Sequence, residues 1–412
     1  MFKPTKSKLS IFFLVLTFLP LIVMRLVVYP ITFQALKDEI IKNLEGSVRK
    51  QSELITKWME ERTADVQRIA NNPFVLLVMQ SIAGSTEHAD LVKNMETIKY
   101  FDYLWKEYGS KEIFIADREG VVRIASRKEI VGTNISTRDY FRSSIKGVFF
   151  TSNIIPSDVP VENESGMLEA GVPTMLVSAP IKDKSNSVVG MVTLRIDVSE
   201  INTMMQNIHI GKTGETYLIN GDGYMLTESR FVQDLKTQHR IAKRSALELK
   251  VANPQTNTVT RAVSECLKGS EGFDAVGYPD YRGVNVIGFW RWMPDYGWGV
   301  IAEIDVGEGY GKLYELRDYI LFTFGLVAVA VIIVAFFLGK KISAPIYSIT
   351  EEAKKIAGGS YHARISYKSG DEIGELAGAI NKMAEALEFG HKLPESIPQE
   401  NHRRNSDDDE KT

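Results

Sequence analysis

Twenty consecutive residues, Tyr319 to Leu338 (YILFTFGLVAVAVIIVAFFL), carry no charge. As a helix rising about 1.5 Å per residue they span about 30 Å, the thickness of a bilayer's hydrocarbon core. The segment over 318–338 therefore ties the chain to a membrane. A second apolar run starts at Ile11 (IFFLVLTFLPLIVMRLVVYPITF) and is interrupted by Pro20 and Arg25. Arg25 can snorkel toward an interface along its apolar stem. The residues after the run are bulky, unlike those of a signal-peptide cleavage site, so an uncleaved anchor over 11–33 is expected. Lys3, Lys6 and Lys8 precede the first run, and Lys340 and Lys341 follow the second. Because positive flanks stay inside, both termini, including residues 1–10, are expected in the cytoplasm and residues 34–317 outside.

The chain as a whole is 44% apolar and 25% charged, ordinary for a folded protein, which excludes a disordered or collagen-like chain. A net charge of −3 provides no basic field for nucleic acid. The single cysteine, Cys266, excludes an internal disulfide and is expected to be a small buried side chain. Six histidines are scattered without ligand spacing or neighbouring acidic or thiol clusters, so neither metal nor cofactor is expected.

Beyond the first run, Ile41, Leu44, Val48, Ile55 and Trp58 recur at three- and four-residue steps amid charge, predicting a long amphipathic helix over 34–80. A diverged repeat follows. EIFIADREGVVRIAS from Glu112 and ETYLINGDGYMLTES from Glu215 each read as a strand, a turn ending in glycine and a second strand, a β-hairpin. VVGMVTLRIDVSEI and WGVIAEIDVGEG close the two units, with Asp197 and Asp305 in matching places. The fold class is α+β: two similar modules in series, a distal one over about 81–205 and a membrane-proximal one over about 206–310.

Past the second span, Ile342, Ile346, Ile349, Ala353 and Ile356 step by four and three, as do Ile373, Leu376, Ile380, Met383 and Leu387. These are two short seams of 3.5-residue period, separated by Gly358-Gly359 and the connector YHARISYKSG. One helical pair cannot bury both stripes, so a homodimeric parallel four-helix bundle is expected.

The segment 339–389, with APIYSIT at its start and DEIGELAGAINKMAEAL at its end, resembles a HAMP linker. Pro345 and the quartet Asp371, Glu372, Ile373 and Gly374 stand where that family has its motif, which makes them the expected signal-coupling residues. The external region resembles a double Cache sensor of tandem PAS-like modules, on GKTGETYLIN and YRGVNVIGFWRWMPDYGWGVIAEID. Together the resemblances cover most of 34–389. They imply a bacterial receptor of the inner (cell) membrane that binds a small molecule in its distal module and passes a signal across the membrane.

In that family the pocket is often headed by Arg-x-[Trp/Tyr]-[Tyr/Phe], and Arg138-Asp139-Tyr140-Phe141 stands in the corresponding place. A guanidinium can grip a carboxylate through two parallel hydrogen bonds while the aromatic residues add a hydroxyl and exclude water. The other reading of Arg138 is a surface arginine beside two core aromatics. Amino-acid-binding relatives carry an aspartate where this chain has Arg195, and a tyrosine and an aspartate where it runs SNIIPSD. The ammonium half of such a site therefore looks absent. Arg138 and Arg195 facing one pocket would favour a small organic acid, the alternative for Arg195 being a pair with an acidic neighbour.

GKT at Gly211 lacks the glycine five residues earlier that a phosphate loop needs. The aromatic run Trp290, Trp292, Tyr296 and Trp298 reads as core and hairpin packing rather than a sugar platform. His391 lacks the acidic neighbour of a phosphoacceptor, and no catalytic domain fits after it, so no enzyme is expected. The polar tail 390–412 is expected to be disordered. A helical coupling segment with so little after it implies a separate cytoplasmic effector, or else an input half of a longer receptor. A passive solute-binding subunit is the third possibility, and it has no use for such a segment.

Overall fold

The computed structural model describes residues 15, 18–84, 99–101, 103, 107–108, 110–163 and 165–392, with the side chains at 83, 84, 338, 339 and 392 left aside. The expected cytoplasmic N-terminus, the start of the first apolar run and nearly all of the tail lie outside these residues. The chain divides into two compact units, residues 31–315 and the remainder.

The larger unit is built on helix α1 (Tyr29–Ala70). Its buried stripe includes Ile41, Leu44, Val48, Ile55, Trp58, Val66 and Ile69, the three- and four-residue spacing that puts side chains on one face. Several of these are wholly buried, each contributing about 1.5 to 3 kcal/mol of transfer free energy. Polar anchors sit within the stripe. Gln51 Nε2 donates to Thr216 Oγ1 (2.5 Å) and to the Met205 carbonyl (3.2 Å). Trp58 Nε1 donates to Glu200 Oε2 (2.5 Å).

The single helix expected over 34–80 is two. Pro73 restricts Asn72 away from the helical region, and Asn72 Oδ1 accepts the Phe74 N–H (2.9 Å). A new helix, α2 (Pro73–Gly84), starts there.

The distal module carries strands β1 (Glu112–Asp117), β2 (Val122–Ala125), β3 (Phe150–Thr151) and β4 (Ile155–Pro156), with the short pair β5 (Val161–Glu162) and β6 (Leu168–Glu169). Two ten-residue strands, β7 (Pro173–Lys182) and β8 (Val188–Asp197), complete it. The antiparallel order is β2-β1-β8-β7-β3, with β4 also on β7. Gly190 allows β8 to lie close to its neighbours, since a Cβ there would meet the Ala116 carbonyl and Met79 at 2.5 Å.

The proximal sheet runs β10-β11-β12-β9, from β9 (Glu215–Ile219), β10 (Glu271–Pro279), β11 (Asn285–Met293) and β12 (Trp298–Asp305). Its core gathers Tyr217, Ile219, Val286, Trp290 and Ile301 under the short helix α3 (Arg261–Cys266). Cys266 is fully buried there, and burial pushes its thiol up to about 12. The α+β expectation of tandem modules on a long helix is met. The second hairpin is not: after Gly223 the return leg forms only isolated bridges, Ile219 with Met225 and Tyr224 with Lys250, because the chain turns aside to cover the sheet. Side chains tie the modules together at more than one place: Trp298 Nε1 donates to Asn153 Oδ1 (2.6 Å), and Lys243 and Arg244 both reach Glu169 Oε1 (2.9 and 2.6 Å).

In the other unit, the first apolar helix includes a π-helical turn at Met24–Val28. Helix α4 (Gly311–Leu338) passes through another at Gly339–Ser343 into α5 (Ala344–Ala357). Among the described residues two helices are long and apolar enough to cross a membrane, one before and one after the two sheets in the chain. Pro345 is buried at the start of α5, and its missing N–H falls where the π-helical turn gives way to regular helix. An extended connector leads to α6 (Glu372–Lys392). Ile349, Ile365 and Ala377 pack with Ile373 and Ile380. Asp371 Oδ1 accepts the Gly374 N–H (2.9 Å), capping α6. Glu372 puts a carboxylate in that helix's first turn. Gly374 has no room for a side chain, because a Cβ would overlap the Ser369 backbone. Ile346, Leu376, Met383 and Leu387 remain exposed on the chain as it stands.

Candidate ligand-binding site

Arg138 is the extended residue preceding the short helix Asp139–Ser144. One helical position separates two roles there. Phe141 is buried among Phe114, Ala116, Val122 and Met191, whereas Tyr140 packs only partly against that cluster. The Tyr140 ring meets Phe114 edge-on at 5.9 Å and Phe150 at 6.5 Å. Burial raises the Tyr140 hydroxyl above the usual phenol range, and the charges of Arg138, Asp158, Arg195 and Glu112 act on it as well.

Arg195 on β8 faces Glu112 on β1 directly across the antiparallel ladder. Only 5% exposed, it donates from Nε to Glu112 Oε2 (3.0 Å), from Nη1 to Thr174 Oγ1 (3.3 Å) and from Nη2 to Asp158 Oδ1 (2.8 Å). Glu112 receives a second cation, Arg127, at 3.1 Å. The other oxygen of Asp158 lies 3.5 Å from Arg138 Nη2, the outer limit of a direct hydrogen bond. A carboxylate of the chain itself thus sits between the two arginines. The side chains of Arg138 and Asp158 are 58% and 53% exposed and accessible, while Arg195 is enclosed.

Three site expectations change on this geometry. Arg195 is committed to Glu112, Thr174 and Asp158, which is the acidic-neighbour alternative, and it is linked to Arg138 through Asp158. Phe141 is core. The segment SNIIPSD, taken as lacking an acidic group for an ammonium, supplies Asp158. Glu112, Arg127 and Asp158 were not singled out from sequence. The first residue of the hairpin repeat could have signalled Glu112, since a buried arginine two residues before Asp197 needs an acid on the neighbouring strand.

Residues 33–313 match the Cache domain family dCache_1, and residues 337–389 match the HAMP domain. The chain belongs to the dCache_1 family. Its Cache region is a sensor domain followed by a HAMP segment. Similar curated proteins include the sensor protein kinase WalK of Staphylococcus saprophyticus, 27% identical over 97 residues, and that of Staphylococcus aureus (strain JH9), 24% identical over 97 residues. Each alignment takes in 24% of this chain, and the chain spans only 16% of the length of these relatives. Among solved structures, the sensor domain of the V. cholerae histidine kinase DctB is 14% identical, with a TM-score of 0.42 and coverage of 66% of this chain and 98% of that one. The sensory domain of the Campylobacter jejuni chemoreceptor Tlp3 with isoleucine bound is 12% identical, with a TM-score of 0.46 and coverage of 67% and 97%.

Proposed function

We propose that this Cache protein is a homodimeric transmembrane receptor of the bacterial cell membrane, with its sensor region extracytoplasmic, whose distal module binds a small carboxylate ligand. Arg138 grips the carboxylate and Tyr140 adds its hydroxyl. Pro345, Asp371, Glu372, Ile373 and Gly374 keep the HAMP helices in register as the signal passes to an effector acting in trans. The chain is read as an input unit without chemistry of its own. The observation that carries the reading is the accessible Arg138–Asp158 pair backed by buried Arg195. Exposed Ile346, Leu376, Met383 and Leu387 support a second copy across the HAMP helices.

A binding screen of residues 31–315 against organic acids and amino acids tests it. Arg138→Ala should weaken a carboxylate ligand by about 10- to 100-fold, a loss of about 1.5 to 3 kcal/mol of charge-assisted hydrogen bonding. Because Arg138 is exposed, unfolding should shift by no more than about 0.5 kcal/mol. Unchanged affinity in the variant would remove Arg138 from the site.

Asp158 favours a second reading of the ligand's other end. A half-exposed carboxylate beside Arg138 offers an acceptor for an ammonium, so a zwitterionic amino acid fits as well as a simple organic acid. Asp158→Asn separates them. It should weaken an amino acid, and it should strengthen a simple acid by lifting competition for Arg138. An inert Asp158 would exclude it from ligand contact.

A further inference from the structure

The two modules place different charges at one position of the repeat. Arg195 and Glu303 each stand two residues before the matching aspartates, Asp197 and Asp305. In the distal sheet Arg195 faces Glu112. In the proximal sheet Glu303 faces Glu215. The salt bridge of one module is replaced in the other by two glutamates, 6% and 2% exposed.

The surroundings do not supply the missing cation. Glu215 on β9 accepts from the Tyr281 hydroxyl, from Ser229 Oγ (3.1 Å) and from the Arg230 N–H (3.3 Å). Glu303 on β12 accepts only from the Tyr278 hydroxyl (2.7 Å), and its second oxygen has no hydrogen-bond partner among the described residues. The wholly buried Tyr217 hydroxyl makes no well-formed hydrogen bond among the described residues, but it lies near enough to act on the Glu303 carboxyl as a second donor. Asp274 on β10 shares the same row across the sheet through Gly288, whose lack of a side chain leaves room for the Tyr278 hydroxyl. Asp274 pairs with Arg261, and Arg282 lies between Asp280 and Asp305, so the nearby cations are already held by other acids. Two facing carboxylates in a dry interior cannot both ionise without a large electrostatic cost.

We propose that the proximal module is a proton-operated input: one proton held on the facing Glu215–Glu303 pair keeps the sheet closed, and its loss in alkaline medium loosens β12. Glu303 carries the proton, because Glu215 has three hydrogen-bond donors stabilising its charged form, whereas Glu303 has the Tyr278 hydroxyl and a weaker approach from that of Tyr217. Desolvation, then Asp280, pushes the Glu303 carboxyl up to about 8. A carboxyl raised on folding contributes stability that is complete below its ordinary value near 4.5 and is lost as pH climbs through about 8. The chain runs from β12 through Val306–Gly309 into α4, so loosening occurs next to the second spanning helix. This input does not depend on Arg138 or on any ligand.

The test uses the intact chain in lipid nanodiscs, by infrared difference spectroscopy and amide exchange of β12 between pH 6 and pH 9. The expected result is a protonated-carboxyl band that disappears with a midpoint near pH 8, alongside faster β12 exchange than intrinsic chemistry predicts. Glu303→Gln should abolish both changes, and Arg138→Ala should leave both intact. Should Glu303→Gln fail to fold, Tyr278→Phe decides, because it removes the donor that favours the charged form and must move the midpoint to higher pH. A band missing at pH 6, one surviving in Glu303→Gln, or a midpoint unmoved in Tyr278→Phe would overturn the proposal.

Discussion

Arg195→Ala should destabilise the sensor region by about 3 to 5 kcal/mol, the usual effect of removing one partner from a buried ion pair. The loss is measured as a lower denaturant midpoint at unchanged slope. Glu112 is 2% exposed and would keep only Arg127, while Thr174 and Asp158 would each lose a donor. The contrast with Arg138→Ala is the informative part, since two arginines sharing one aspartate should differ in stability effect by several kcal/mol. Glu112→Leu introduced into the Arg195→Ala background should recover part of the loss by removing the stranded charge. A loss below about 1 kcal/mol would show that the buried pair is not what organises this edge of the site.

Trp298→Ala should be as severe, about 3 to 5 kcal/mol, because truncating a buried tryptophan leaves a cavity the surroundings fill only partly. Trp298 is 1% exposed and carries the tie to Asn153. Trp298→Phe retains most of the bulk and loses the N–H. It should cost far less stability while weakening the link between the modules, leaving ligand affinity intact and reducing ligand-dependent crosslinking between the spanning helices. Asn153 lies five residues before Asp158, so the tie meets the segment that a ligand at Arg138 would displace. Normal crosslinking in Trp298→Phe would move the route elsewhere, to the Lys243 and Arg244 pairs with Glu169 or to α1 through Gln51 and Trp58.

The parts legible in the sequence are those set by local pattern. The charge-free run, the α1 stripe, the first hairpin and the two helical seams each follow from spacing and length, and the structure shows helix or strand at each. The α1 boundary was misplaced because the hydrophobic stripe continues past Pro73, and only backbone sterics at Asn72 interrupt it. The second hairpin misled because its strand-like letters are used to cover the sheet. The site was half legible. Arg138 and Tyr140 lie in one short motif, but the partner of Arg195 is 83 residues away in the chain and emerges only once β1 and β8 are in register. Asp158 comes from an irregular segment whose path no periodicity describes.

Helix α1 has a mechanical consequence. Its 42 residues form an unbroken rod of about 63 Å. Both modules are fastened to one face of that rod, through Gln51 and Thr216 at one level and Trp58 and Glu200 at another. A stiff lever of this length magnifies angle into distance, so a tilt of about 3° at one end displaces the other by about 3 Å. Rearrangements within either module too slight to disturb its own packing would thus reach the opposite end of the rod as a shift the width of a side chain.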